Sequence, residues 1–128
     1  MISLGRHDEV FIDWHKGFRI HIYKLIDYIN LHEKDFSLKE ESTFKLLEYK
    51  NFGDKDEEHI DAISEPRIHE PILLAEIEGE KRIIDGNHRL EKRHKATYEM
   101  TNVINISNEV IELFMEPYSM LQRIREGN

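Results

Sequence analysis

The strongest constraint on this chain is a strand-to-helix junction at a single glycine. Upstream of it, the stretch from Pro71 through Ile72-Leu73-Leu74-Ala75-Glu76-Ile77-Glu78 and the stretch Lys81-Arg82-Ile83-Ile84-Asp85 have the length and branched-aliphatic content of strands. A tight turn at Gly79-Glu80 joins them as a hairpin. Gly86 follows directly, and the chain from Asn87 to Lys95 then reads as a helix. Met100 to Ile106 returns to a strand pattern. A segment that alternates strand, strand, helix and strand within so few residues predicts an α+β fold, a small mixed curved sheet with helices packed on it.

The flanking regions extend this reading. Glu9 to Trp14 is a short strand candidate, and Phe18, Ile20 and Ile22 alternate with Arg19 and His21 as a half-buried strand does. Ile22, Leu25, Ile26 and Ile29 then fall on one face of a helix ending near Leu31. Ser37-Leu38-Lys39-Glu40 has the form of a capping box, which predicts a helix with Phe44, Leu47 and Leu46 as its inward candidates, ending near Lys50. Gly53 marks a turn, and Asp54-Lys55-Asp56-Glu57-Glu58 opens a further short helix that Pro66 ends. Ser107 caps a helix with Val110, Ile111 and Phe114 inward, and Pro117 breaks it before a last helix from Tyr118 to Glu126. The expected organisation is one domain over 1–128, with a core motif at 65–106, a strand-and-helix part at 1–64 and C-terminal helices at 107–128.

Charge narrows the function classes. Eighteen Lys and Arg stand against 26 Asp and Glu, a net charge of −8, which disfavours a protein that grips long DNA by its phosphates. A compact anion site is still compatible with it, because net charge describes the whole surface. The absence of cysteine excludes disulfides, thiolate metal sites and cysteine nucleophiles. Met1 to Glu9 has no apolar h-region and no stretch is long enough to span a membrane, so a cytoplasmic protein is expected.

The chemistry concentrates in Asp85-Gly86-Asn87-His88-Arg89. Gly86 permits a sharp turn and close approach of a ligand to the backbone. Asn87 and His88 fall where the first N–H groups of a helix have no intrahelical partner, a setting that attracts anions. Arg89 supplies a planar fork of donors suited to phosphate or carboxylate, and His88 can donate to a phosphate or move a proton near neutral pH. Three roles fit Asp85: a Mg²⁺ ligand, a general base, or a structural acceptor for Arg89. As a ligand contact, Arg89 is expected to be replaceable by alanine without loss of stability.

Residues 65–106 resemble the core motif of the ParB/sulfiredoxin superfamily. The likeness rests on the Pro71-Ile72-Leu73-Leu74 strand, the Glu78-Gly79-Glu80 hairpin, the string Ile83-Ile84-Asp85-Gly86-Asn87-His88-Arg89-Leu90, a basic helix and the final strand Thr101 to Ile106. It implies a nucleotide-phosphate pocket at the strand-to-helix turn. Gly86, Asn87, His88 and Arg89 would contact phosphate, and Asp85 would sit at the chemistry or support the turn; any catalysis would fall to Asp85 and His88, with Mg²⁺ on Asp85 and ATP, ADP or CTP as nucleotide. Phosphoryl transfer or nucleotide hydrolysis is the implied reaction class. Two features depart from the pattern: Glu91 stands where small residues often pack, and no glycine precedes the last strand at Thr97-Tyr98-Glu99. Sulfiredoxin chemistry is excluded with the cysteine, and no helix-turn-helix segment follows that would support DNA partitioning.

Other features point elsewhere. The eight histidines are scattered, with His15 and His21, and likewise His88 and His94, six residues apart and so off a common helix face. Trp14 reads as a packing residue rather than a base-stacking platform. Glu9 and Asp13 flank the first strand and could lend a carboxylate to a pocket beside it. Arg89, Lys92, Arg93 and Lys95 form the one basic run. The alternative function is a non-catalytic acidic interaction protein, such as an immunity protein or phage-encoded inhibitor, whose acids at 54–58 would face a basic partner.

Overall fold

Ile72 to Ala75 are buried on both faces of a sheet, and that is what sets the layering. The computed structural model describes residues 10–50 and 65–127. Its strands are β1 (Val10–Asp13), β2 (Phe18–His21), β3 (Leu38–Ser42), β4 (Ile72–Ile77), β5 (Glu80–Asp85), β6 (Met100–Ile106) and β7 (Met115–Pro117). The helices are α1 (Ile22–Leu31), α2 (Thr43–Leu46), α3 (Glu65–Ile68), α4 (Asn87–Lys95), α5 (Asn108–Glu112) and α6 (Met120–Glu126), with short 3₁₀ turns at Glu33–Asp35 and Leu47–Tyr49.

Two sheets form where one was expected. A four-stranded mixed sheet runs β3-β6-β4-β5, with β4 parallel to β6 and the other pairs antiparallel. A three-stranded antiparallel sheet runs β1-β2-β7. One face of the larger sheet presents Leu73, Ala75, Ile77, Ile84, Ile104 and Ile106 to a core shared with Ile20, the buried face of α1 and Ile111 of α5. The other face presents Ile72, Leu74, Ile83 and Val103 to Leu46 of α2 and Leu90 of α4. This is an α+β arrangement, with helices on both faces of the larger sheet.

The hairpin turn sits one residue earlier than the sequence suggests. Glu78 and Gly79 both have positive φ, 52° and 82°, the signature of a tight turn whose twist matches the flanking strands. The β4–β5 register then slips between Leu73 and Leu74, so that Leu73 faces Asp85 while Leu74 faces Ile83. This bulge leaves Ile84 as the extra residue and re-aims the end of β5 just before Gly86.

Four local expectations are corrected. Ser37 and Glu40 do not cap a helix, because Leu38 to Ser42 pair with β6 as an edge strand. The charges of Lys39, Glu40 and Glu41 suit such an edge. The helix cap is Ser42, whose hydroxyl accepts from the Lys45 N–H at 3.3 Å. α2 then ends at Leu46, and Phe44 is 75 % exposed rather than inward. Pro117 does not simply break a helix but ends the edge strand β7, paired through Phe18 to Ile20 of β2. Pro66 lies inside α3, in the first turn, where a missing N–H costs nothing. The turn at Gly53 and the helix expected behind Asp54 lie outside the described residues, as do Glu9 and the acids at 54–58.

Candidate functional site

Strand β5 delivers Asp85 to the end of the sheet, and Gly86 turns the chain into α4 with φ +100° and ψ 14°. That left-handed conformation is strained for any residue with a side chain. The cavity beside it is already filled. A β-carbon on Gly86 would stand 2.5 Å from Cδ1 of Ile72, 3.0 Å from Nη2 of Arg89 and 3.3 Å from its Cζ. Glycine is therefore required twice, by the backbone and by the guanidinium packed against it.

Arg89 points inward. It is 2 % exposed, and its Nη2 donates to the Pro71 carbonyl at 3.0 Å and to Oδ2 of Asp85 at 3.2 Å. Asp85 is 3 % exposed. The pair spans one helical turn and ties the first turn of α4 to both ends of the hairpin. Of the three roles open to Asp85, the geometry gives it that of acceptor for Arg89. Arg89 is not a surface donor whose loss leaves the fold intact, which corrects the expectation that alanine there would be harmless. Its Nε is buried without a hydrogen-bond partner.

The remaining members of the turn lie nearer the surface. Asn87 and His88 are half-buried, and Asn87 donates through Nδ2 to the Ile83 carbonyl at 3.2 Å. Gly86 occupies the N-cap and brings no capping side chain, while its carbonyl accepts from the Leu90 N–H at 2.9 Å. The residues around Asp85 do not fit a Mg²⁺ centre. Its carboxylate is buried and its charge is balanced by Arg89, and no group of three or more His, Asp or Glu able to hold an ion occurs among the described residues.

The basic run of α4 is largely turned to internal use. Arg93 donates through Nε to Oγ1 of Thr101 at 3.0 Å, through Nη1 to the Ile68 carbonyl at 3.3 Å and through Nη2 to the Met100 carbonyl at 2.6 Å, with Tyr98 against its guanidinium at 4.2 Å. Burial lowers its pKa, opposed by Tyr98. Glu91 accepts an ion pair from Lys50 at 2.6 Å, both side chains mostly buried. This carboxylate thus pins the segment after α2 to α4.

Asp13 and Trp14 lie outside this site. Asp13 pairs with Arg82 at 2.5 Å and accepts from the Lys16 N–H at 2.9 Å, joining the two sheets. Burial opposes its ionisation, but those hydrogen bonds prevail and hold its pKa below 3.8. Trp14 packs on Tyr118 with ring centroids 5.4 Å apart.

Sequence reasoning missed a second concavity. Two adjoining depressions of about 260 and 320 Å³ cross the larger sheet on its α2–α4 face and share Leu74, Glu76, Lys81 and Asn105. The signal was the change along β4 from Ile72 and Leu74 to Glu76 on one face, and it needed the β3 pairing to be recognised. Among the described residues no helix is long and apolar enough to cross a membrane. Comparison with known protein families, with curated proteins and with solved structures finds no match.

Proposed function

We propose that this chain is a ParB/sulfiredoxin-like domain that binds a small phosphorylated ligand, a nucleotide being the expected class, on the turn Gly86-Asn87-His88. The observation that carries this reading is the construction of the turn. A left-handed glycine without a capping side chain opens a nine-residue helix, and the buried Arg89 guanidinium packs directly behind it. The helix N-terminus favours an anion, and Arg89, its charge paired with Asp85, holds the shape of the turn. Arg89 is here a positioning residue. His88, half-buried on the same turn, is the side chain assigned in this reading to donate to a phosphate. The likeness of residues 65–106 to the superfamily motif supports the same assignment. Asp85 is committed to Arg89 and does not serve as a Mg²⁺ ligand in this reading.

A thermal-shift series with ATP, ADP, CTP and GTP, each with and without Mg²⁺, tests it. At a nucleotide concentration about 100 times Kd, binding adds about 2.7 kcal/mol to stability and raises Tm accordingly. The shift should shrink in His88→Ala. An unchanged Tm with every nucleotide, together with tight binding of a basic partner protein, would replace this reading with that of an acidic interaction protein.

A further inference from the structure

The cleft across the larger sheet combines charge and apolar surface in a way that the fold does not require. Its floor is apolar, with Leu74 of β4 and Leu46 of α2, both buried. Three lysines line it from three separate elements: Lys39 on β3, Lys45 on α2 and Lys81 on β5. None of the three makes an ion pair among the described residues. Lys16 and Lys50, by contrast, each find a carboxylate.

The pairing pattern sharpens the point. Glu76 and Lys81 are direct cross-strand partners, yet they form no ion pair, although such neighbours normally attract. Glu41 also lines the cleft, so three positive charges face two negative ones. Tyr49 and Asn105 add a phenol and an amide to the lining. Ammonium groups from different elements repel one another when the cleft is empty, and an anion among them relieves that repulsion. The carboxylates in turn reward a ligand that also donates hydrogen bonds.

We propose that this cleft is a second binding site, separate from the Gly86 turn, for a small organic anion with an apolar body and a hydrogen-bond donor, of the type of a hydroxylated aromatic carboxylate. The apolar body lies on Leu74 and Leu46, the acid group among the lysines, and the donor toward Glu41 or Glu76. The volume of about 320 Å³ accommodates one such ring and its substituents.

The test is a titration of ¹⁵N-labelled protein with 4-hydroxybenzoate, with uncharged 4-methylphenol and inorganic phosphate as controls. Saturable shifts at Lys39, Tyr49, Lys81 and Asn105 are expected with 4-hydroxybenzoate and not with the uncharged phenol. Lys39→Gln and Lys81→Gln, both exposed positions that leave the core intact, should each weaken binding about tenfold. The double variant Glu41→Gln, Glu76→Gln should reduce the preference for 4-hydroxybenzoate over benzoate, a change that purely structural carboxylates would not produce. His88→Ala, in the proposed nucleotide turn, should leave it unchanged. Failure of 4-hydroxybenzoate to saturate, shifts centred on Gly86 to Arg89, or affinity indifferent to both lysine variants would overturn the assignment. Failure to saturate, or indifference to the lysine variants, leaves the reading of the turn untouched, whereas shifts centred on Gly86 to Arg89 would assign the anion to that turn instead.

Discussion

The Arg89 guanidinium occupies the space that a side chain on Gly86 would need, with Nη2 3.0 Å from the position of a β-carbon there. Gly86→Ala therefore adds a clash to the strain of a φ of +100°. The expected loss is about 1–3 kcal/mol for the backbone conformation, with more if the guanidinium is displaced. Urea unfolding measures it. A variant as stable as the parent would show that the turn relaxes without cost.

Asp85 and Arg89 should be strongly coupled. Arg89→Ala leaves a buried carboxylate alone, and removal of one partner of such a pair costs about 3–5 kcal/mol. Asp85→Leu combined with Arg89→Met removes both charges and should cost much less than the two single changes added together. A double-mutant cycle by chemical denaturation decides the matter, and additivity would mean that the pair does not act as a unit.

Arg93 should matter for stability and not for ligand binding. It joins α4 to the Ile68 and Met100 carbonyls and to Thr101, so Arg93→Ala is expected to cost about 2 kcal/mol. Nucleotide-induced shifts in the variant, measured against its own lower Tm, should match those of the parent. A large loss of binding at unchanged stability would return this side chain to the anion site.

The Asp13–Arg82 link predicts a pH dependence with a definite sign. The folded pKa of Asp13 lies below 3.8, so the unfolded chain binds the proton more readily. Its contribution is complete above that ordinary value and is lost as pH falls through the folded pKa. Asp13→Asn should flatten the acid limb of stability against pH and leave the neutral region parallel to the parent curve, displaced by the cost of the lost pair. Unfolding followed from neutral pH downward tests this, and an unchanged acid limb would show that other carboxylates carry the transition.

The sequence alone determined the hairpin from Ile72 to Asp85, the helix from Asn87 to Lys95 and the strand from Met100 to Ile106, because each carries a strong local pattern and clear punctuation. It also marked Asp85 to Arg89 as unusual, from glycine and charge at a strand-to-helix junction. Tertiary structure decided the rest. β3 and β7 have almost no apolar alternation and exist because β6 and β2 offer them open edges, so pairing overrode a plausible capping signal at Ser37. The direction of Arg89 was equally out of reach. A helix-start arginine can face solvent or core, and only the Gly86 vacancy, the Pro71 carbonyl and buried Asp85 together turn it inward. The lysine cleft arises in the same way, from strands distant in sequence whose like charges meet only when β3 joins the sheet.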